Sequence, residues 1–218
     1  MSDVRDLLVS TARDVFGRED GVDAAVEAAG LQDLRVDGEV DLGDLAAVIG
    51  VAAASATDFG ERLLPEVVDE RHRLALLRAI QMAATLERVR DLTVEYTKER
   101  QQFGQPLHRF QAVQMQLATL AGLAALARAS ADEAVADPTA ERVAVAKVMC
   151  GRAATEGAAL AHQVHGAIGF TYEHQLHRFT TLLWRWRDEG GSEAEWSAAL
   201  GTLISERPDQ LWEATVDD

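Results

Sequence analysis

Apolar positions recur every three or four residues along most of this chain, the spacing of helices that bury one side. Residues 3–16 set Val4, Leu7, Leu8, Thr11, Ala12 and Phe16 on one face. Residues 21–31 predict a second short helix, with Gly30 and the acidic run Asp37–Asp44 read as loops and the acidic run as solvated. Residues 44–55 are apolar enough for a buried helix, and Pro65 opens a long periodic segment, 66–99. The stretch RQQFGQPL at 100–107 breaks it, with Gly104 and Pro106 as punctuation. Residues 108–136 predict the next helix, whose segment QLATLAGLAALARA is apolar on nearly every face and predicts burial in a bundle. Asp137-Pro138 ends it, and Thr139 with Arg142 opens 139–165, which runs into the turn HGAIGF. Segments 173–187 and 192–213 complete the set.

Alternating β-branched runs and Asn-Gly hairpin signals are missing, while Ala, Leu, Arg and Glu dominate. The pattern predicts an all-α protein. Long neighbouring helices with short connections predict an up-and-down antiparallel bundle. We divide the chain into a short N-terminal helical segment, 1–65, and a bundle, 66–218.

Charge narrows the function. The 218 residues carry 36 acidic and 21 basic side chains, a net charge of −15. Such a field repels phosphate backbones and anionic lipid, which argues against nucleic-acid and membrane-surface partners. Cys150 is the only cysteine, so no internal disulfide forms. No apolar run reaches the roughly 20 residues that span a bilayer, and the start, MSDVRDLLVSTARD, lacks a leader's apolar stretch. The expected compartment is the cytoplasm.

Two stretches carry chemistry. In the first, Tyr96 leads to Arg100, Gln102, Phe103, Gly104, Pro106, Leu107, Phe110 and Gln111. An arginine offers a bidentate anchor for phosphate or carboxylate, and an aromatic ring beside it can stack on a flat ligand. By itself the arrangement also reads as an arginine at a helix C-terminus beside a core phenylalanine. The second is Gln163-Val-His165-Gly166-Ala167-Ile-Gly169-Phe170, where glycines after a helix let a ligand approach the backbone. By itself it reads equally as a helix ending.

In this order, with Ala146-Lys147 between them, the two stretches resemble the C-terminal helical domain of the acyl-CoA dehydrogenase family. The resemblance covers residues 70–205. It implies a four-helix bundle, bound FAD shared between subunits, and α,β-dehydrogenation of an acyl-CoA thioester. Carried over by position, Arg100 grips the FAD pyrophosphate. Gln102, Phe103, Leu107, Phe110 and Gln111 line the path of the adenosine and pyrophosphate. Gln163, Gly166 and Ala167 meet the ADP portion of a neighbouring flavin, with Ala167 standing where the family usually has glycine.

Three departures qualify the resemblance. The β-domain that covers the flavin ring in the family has no counterpart in the strand-poor sequence. The family's usual catalytic glutamate falls on Gly190, and its second location for the base falls on Leu74, followed by Ala75. The nearest carboxylates, Asp188 and Glu189, are displaced, and one residue turns a helical side chain by about 100°. Glu189 is thus a candidate base only in a displaced position, with Asp188 beside it. The expectation is a small FAD-dependent subunit of a hetero-oligomer, or of a self-oligomer, whose full-length partner supplies the base and acyl-CoA pocket. The alternative is a structural subunit that kept the bundle and lost flavin chemistry.

Other features carry less. His162/His165 and His174/His177 have a three-residue spacing that could suit a metal, but no acidic or Cys cluster completes a set, so we expect none. Trp184-Arg185-Trp186-Arg187 reads as packing plus an arginine–acid surface network. Cys150 reads as inert core.

Overall fold

The computed structural model describes residues 2–18, 20–36, 40–61, 63–65 and 68–206. Its helices are α1 (Ser2–Phe16), α2 (Val22–Ala28), α3 (Leu42–Ala54), α4 (Glu70–Glu99), α5 (Gln111–Ala136), α6 (Ala140–His165), α7 (Leu176–Asp188) and α8 (Glu193–Ser205). Two-residue strands β1 (Gln101–Gln102) and β2 (Gln105–Pro106) form a small antiparallel hairpin, which the strand-poor pattern did not predict.

Local chemistry sets the helix starts. The Asp69 side chain accepts from the His72 amide at 2.8 Å and starts α4 at Glu70, while residues 66 and 67 of the expected segment lie outside the described residues. Asp41 and Asp44 form a reciprocal capping box at the start of α3. Asp44 is buried, and Arg5 of α1 donates to it at 2.7 Å. That part of the acidic run is therefore structural, not solvated, while 37–39 lie outside the described residues. Thr139 caps α6 by accepting from the Arg142 amide, and Ser192 with Glu195 forms a capping box on α8. The last expected helix ends at Ser205, and residues 207–213 of that expectation lie outside the described residues.

α4 is the central element, packed against α3, α5, α6 and α7. From Ala75 to Leu86 every one of its residues is buried. α5 and α6 pack on it and on each other, α7 closes against α4 and α6, and α8 lies on α6. The connections from α4 to α5 and from α5 to α6 are short, which makes α4 up, α5 down and α6 up. Gly157 permits the close approach of α6: a Cβ there would lie 2.5 Å from Leu86 Cδ1 and 3.2 Å from Leu120 Cδ1. One continuous apolar core includes Ala12, Val15 and Phe16 of α1, Leu45, Val48 and Ile49 of α3, and the bundle interior.

Two expectations about apolar faces change. Ala12 and Phe16 of the expected face are buried and Val15 joins them, but Leu7 is 67% exposed. α5 buries only the stripe Leu120, Ala124, Ala127, Ala131 and Ala134. Its other side leaves Met115 and Leu126 exposed, together with small residues. An all-apolar pattern says a helix can be covered on every side; only packing partners decide whether it is.

Candidate functional site

The two chemistry-bearing stretches meet at one end of the bundle, where α4 and α6 finish and α5 starts. Tyr96 joins them. Its ring stacks on that of His165 at 4.3 Å between centroids, and its hydroxyl donates to the His165 carbonyl at 3.3 Å. His108 tethers the hairpin side by donating from Nδ1 to the Thr97 carbonyl at 3.2 Å. The Leu107 amide donates to the Arg100 carbonyl at 2.9 Å, which closes the loop around the hairpin.

Arg100 is the C-cap of α4, exposed, and has no acidic partner among the described residues. Gln102, Phe103, Gln111, Gln163, Gly166 and Ala167 are also exposed at this end, whereas Leu107 and Phe110 are half-buried. Phe103 stands out. It is 93% exposed and has φ 52°, a left-handed conformation that costs a non-glycine residue about 1–2 kcal/mol. Gly104 follows at φ 80°, so the pair forms the tip of the hairpin. The chain spends backbone energy to hold a bare ring in water, edge-on to Phe110 at 6.2 Å. Phe110, the residue before α5, offers no side-chain cap. The first amides of α5 are therefore open to an anion on the same bundle end as Arg100.

The turn 166–170 rests on two buried histidines. His165 donates from Nδ1 to the Ala161 carbonyl at 2.8 Å, and His162 meets Thr180 Oγ1 at 2.9 Å. Burial pushes the His165 imidazole down to about 4, so it is neutral at pH 7. Phe170 and Trp184 lie nearly parallel to the His162 ring, at 4.0 and 5.6 Å. Gly169 lies tight against this layer: a Cβ there would come within 2.9 Å of His165 Cβ and 3.3 Å of His162 Nδ1. The histidines thus take part in packing and hydrogen bonds. Among the described residues, no three metal-ligating groups come together.

The other end of α4 holds the positions at issue for the base. Gly190, at φ 72°, lies against the start of α4; a Cβ on it would be 3.2 Å from Leu74 Cγ and 3.4 Å from the Ala75 nitrogen. Glu189 is half-buried and turned into an ionic ring. Its carboxylate pairs with Arg78 Nη2 at 2.7 Å and Arg185 Nε at 3.1 Å. Asp58 completes the ring by pairing with Arg78 Nη1 at 2.7 Å and with Arg185 Nη2. Gln81 donates to Asp58 at 3.0 Å and to the Phe59 carbonyl at 3.1 Å. Nothing in the sequence pattern singled out Asp58 or Arg78, because their ionic partners lie 20 to 127 positions away.

Lys147 is buried and donates to the carbonyls of Trp186 and Arg187 at 2.7 and 2.8 Å, tying α6 to the end of α7. Burial lowers its ammonium to about 8. Cys150 is buried, with its thiol pushed up to about 12 by burial, as inert core requires. Trp186 is fully buried, while Arg185 and Arg187 pair with acids, so that stretch is packing and surface network.

These features define an antiparallel helical-bundle domain with an open, aromatic end that carries an exposed arginine. Comparison with known proteins agrees. The family described as "Acyl-CoA dehydrogenase, C-terminal domain" matches residues 70–188, and the chain belongs to the acyl-CoA dehydrogenase family. It is 39% identical over 105 residues to the acyl-CoA dehydrogenase IpdE2 of Mycobacterium tuberculosis, a stretch covering 48% of this chain and 33% of that protein. It is 37% identical over 93 residues to a probable acyl-CoA dehydrogenase, YngJ, of Bacillus subtilis, covering 40% and 24%. Among solved structures, an acyl-CoA dehydrogenase from Geobacillus kaustophilus aligns with a TM-score of 0.59 and 26% identity over 62% of this chain and 37% of that one. The ChsE4-ChsE5 complex from Mycobacterium tuberculosis gives a TM-score of 0.56 and 27% identity over 63% and 39%. The match thus spans about a third of the length of the IpdE2 relatives and less of others.

Proposed function

We propose that this chain is a flavin-site subunit of an FAD-dependent acyl-CoA dehydrogenase: it contributes the ADP-binding end, and a full-length partner contributes the rest. Acyl-CoA dehydrogenases are FAD enzymes in general. The residues at the open end fit the ADP half of that cofactor. Arg100 is exposed and has no acidic partner among the described residues, the α5 N-cap gives no side-chain bond, and Phe103 is held out against its own backbone preference. Gly166, at φ 65°, has open space where a side chain would be. Bound FAD would supply hydride acceptance from the acyl β-carbon. Arg100 would neutralise the pyrophosphate, Phe103 and Phe110 would flank the adenosine, and Gln163 with the amides of Gly166 and Ala167 would meet the ADP portion.

The strained, exposed Phe103 beside the exposed Arg100 carries this reading. A carboxylate for the α-proton has to come from elsewhere, since Leu74 and Gly190 have none and Glu189 is held by two guanidinium groups. The exposed side of α5 supports a subunit contact. A solved structure that aligns with this chain is a complex, ChsE4-ChsE5 from Mycobacterium tuberculosis.

The second reading is a structural subunit that has lost flavin, favoured by the missing carboxylates at Leu74 and Gly190. The test is to purify the chain alone and co-expressed with a full-length acyl-CoA dehydrogenase encoded beside it. Flavin absorbance and light-scattering mass are recorded for each. Yellow protein only in the mixed complex, lost on Arg100→Ala, supports the shared site. A stable colourless complex supports the structural subunit. Yellow protein from the chain alone overturns the dependence on a partner.

A further inference from the structure

A groove runs between α1, α3, α4 and α5, on a stretch of α4 that precedes the hairpin end. It consists of two adjoining clefts of about 540 and 380 Å³ that share Ala46, Ala47 and Arg128. Its floor is the half-exposed strip Ala46, Ala47, Val51 and Ala54 of α3 with Ala84 of α4. The side chains are small, so they leave the volume open instead of filling it. None of the residues assigned to flavin lines it.

The charge of the groove runs against that of the chain. Five arginines line it in a protein of net charge −15. Three are neutralised: Arg128 by Glu87 at 2.5 Å and Asp132 at 3.7 Å, Arg90 by Asp91, and Arg5 by Asp41 and Asp44. Those pairs use up every acid that lines the groove. Arg13 of α1 and Arg88 of α4 remain, and neither has an acidic partner among the described residues. The backbone does not need them either. The α3 carbonyls of Val51, Ala52 and Ala53 accept from the Ser55 amide, the Thr57 amide and Thr85 Oγ1.

We propose that this groove binds an amphiphilic anion: a carboxylate or phosphate monoester head held by Arg13 and Arg88, with an unbranched apolar chain along the alanine strip of α3. Two guanidinium groups from different helices match the oxygens of such a head. The apolar floor supplies the burial that a bare anion would not exploit. The site does not depend on the flavin reading, because it shares no residue with it.

Titration calorimetry on the full chain with decanoate, decyl phosphate, decyltrimethylammonium and inorganic phosphate tests the proposal. The two anionic amphiphiles should bind, the tighter one naming the head group, and the cation should not. The Arg13→Gln/Arg88→Gln double variant should weaken binding about tenfold or more. Ala47→Leu, which fills the floor, should weaken it without changing any charge. Arg100→Ala should leave it unchanged. Arg13 is exposed, so Arg13→Gln alone serves if the double variant melts early. Equal binding of the cation, wild-type affinity in the arginine variants, inorganic phosphate as tight as decyl phosphate, or no heat with any amphiphile would each overturn the proposal.

Discussion

Leu74 and Gly190 face each other across the junction of α4 and the α7–α8 turn, 3.2 Å apart when a Cβ is placed on the glycine. These are the two positions to which the family resemblance carries a catalytic base. The fold brings them together, and neither bears a carboxylate. Glu189, one residue away, is tied to Arg78 and Arg185. Glu189→Gln should therefore leave turnover of the assembled enzyme within about twofold, whereas loss of a true base costs 10²-fold or more. Steady-state rates of the mixed complex check this, and a large fall in kcat would return Glu189 to the chemistry.

The ionic ring should register in the acid stability. Burial raises the Asp58 carboxyl, but Arg78, Gln81 and Arg185 outweigh it and hold the group below the ordinary carboxylate range. A depressed carboxyl adds stability above its unfolded pKa of about 4, and that stability is lost as the pH falls through the lower folded value. Asp58→Asn should thus destabilise the chain at pH 7. Its deficit relative to wild type should shrink below pH 4, as urea titrations at several pH values would reveal.

Phe103→Asn should do opposite things to stability and function. Asparagine tolerates the left-handed backbone and suits the hairpin tip before glycine, so the fold should gain up to about 1 kcal/mol. Flavin retention in the complex should fall, because the exposed ring is gone. A higher melting temperature with less bound flavin is the expected pair of readings. A variant that melts lower would remove the argument from strain.

Gly169→Ala should cost about 1–3 kcal/mol, since its methyl meets His165 Cβ at 2.9 Å and Leu176 Cδ2 at 3.1 Å in a packed layer. The 166–170 turn would shift with it. Thermal melts check the first effect and flavin content the second.

Lys147 gives a pH signature of opposite origin. Its ammonium is lowered to about 8 by burial, against about 10.4 unfolded, so the unfolded chain binds more protons between those values. Stability should rise with pH across that window, by no more than about 1.4 kcal/mol per pH unit. Lys147→Met should remove that part of the slope, which denaturant titrations from pH 7 to 10 can measure.

Much of this was legible beforehand, and the reasons are local. Helix breaks at 100–107 and 137–139 were readable because Gly104, Pro106 and Pro138 act on their own backbone. The two motif stretches were readable because their spacing is short-range. The buried role of Asp44 was not, since it depends on Arg5, 39 positions away. The hairpin was missed because two-residue strands carry no periodic signal.

The sequence by itself determined the helical class and the family, and it nominated Arg100, Phe103, Gln163 and Gly166 as candidates, because propensity, punctuation and motif order are properties of neighbouring residues. Only the tertiary structure decided that Tyr96 stacks the two motifs together, that Leu74 meets Gly190, that Glu189 is consumed by Arg78 and Arg185, and that one side of α5 stays bare. Those facts depend on which distant surfaces touch, and close packing of side chains from separate helices sets that, not the periodicity of any one of them.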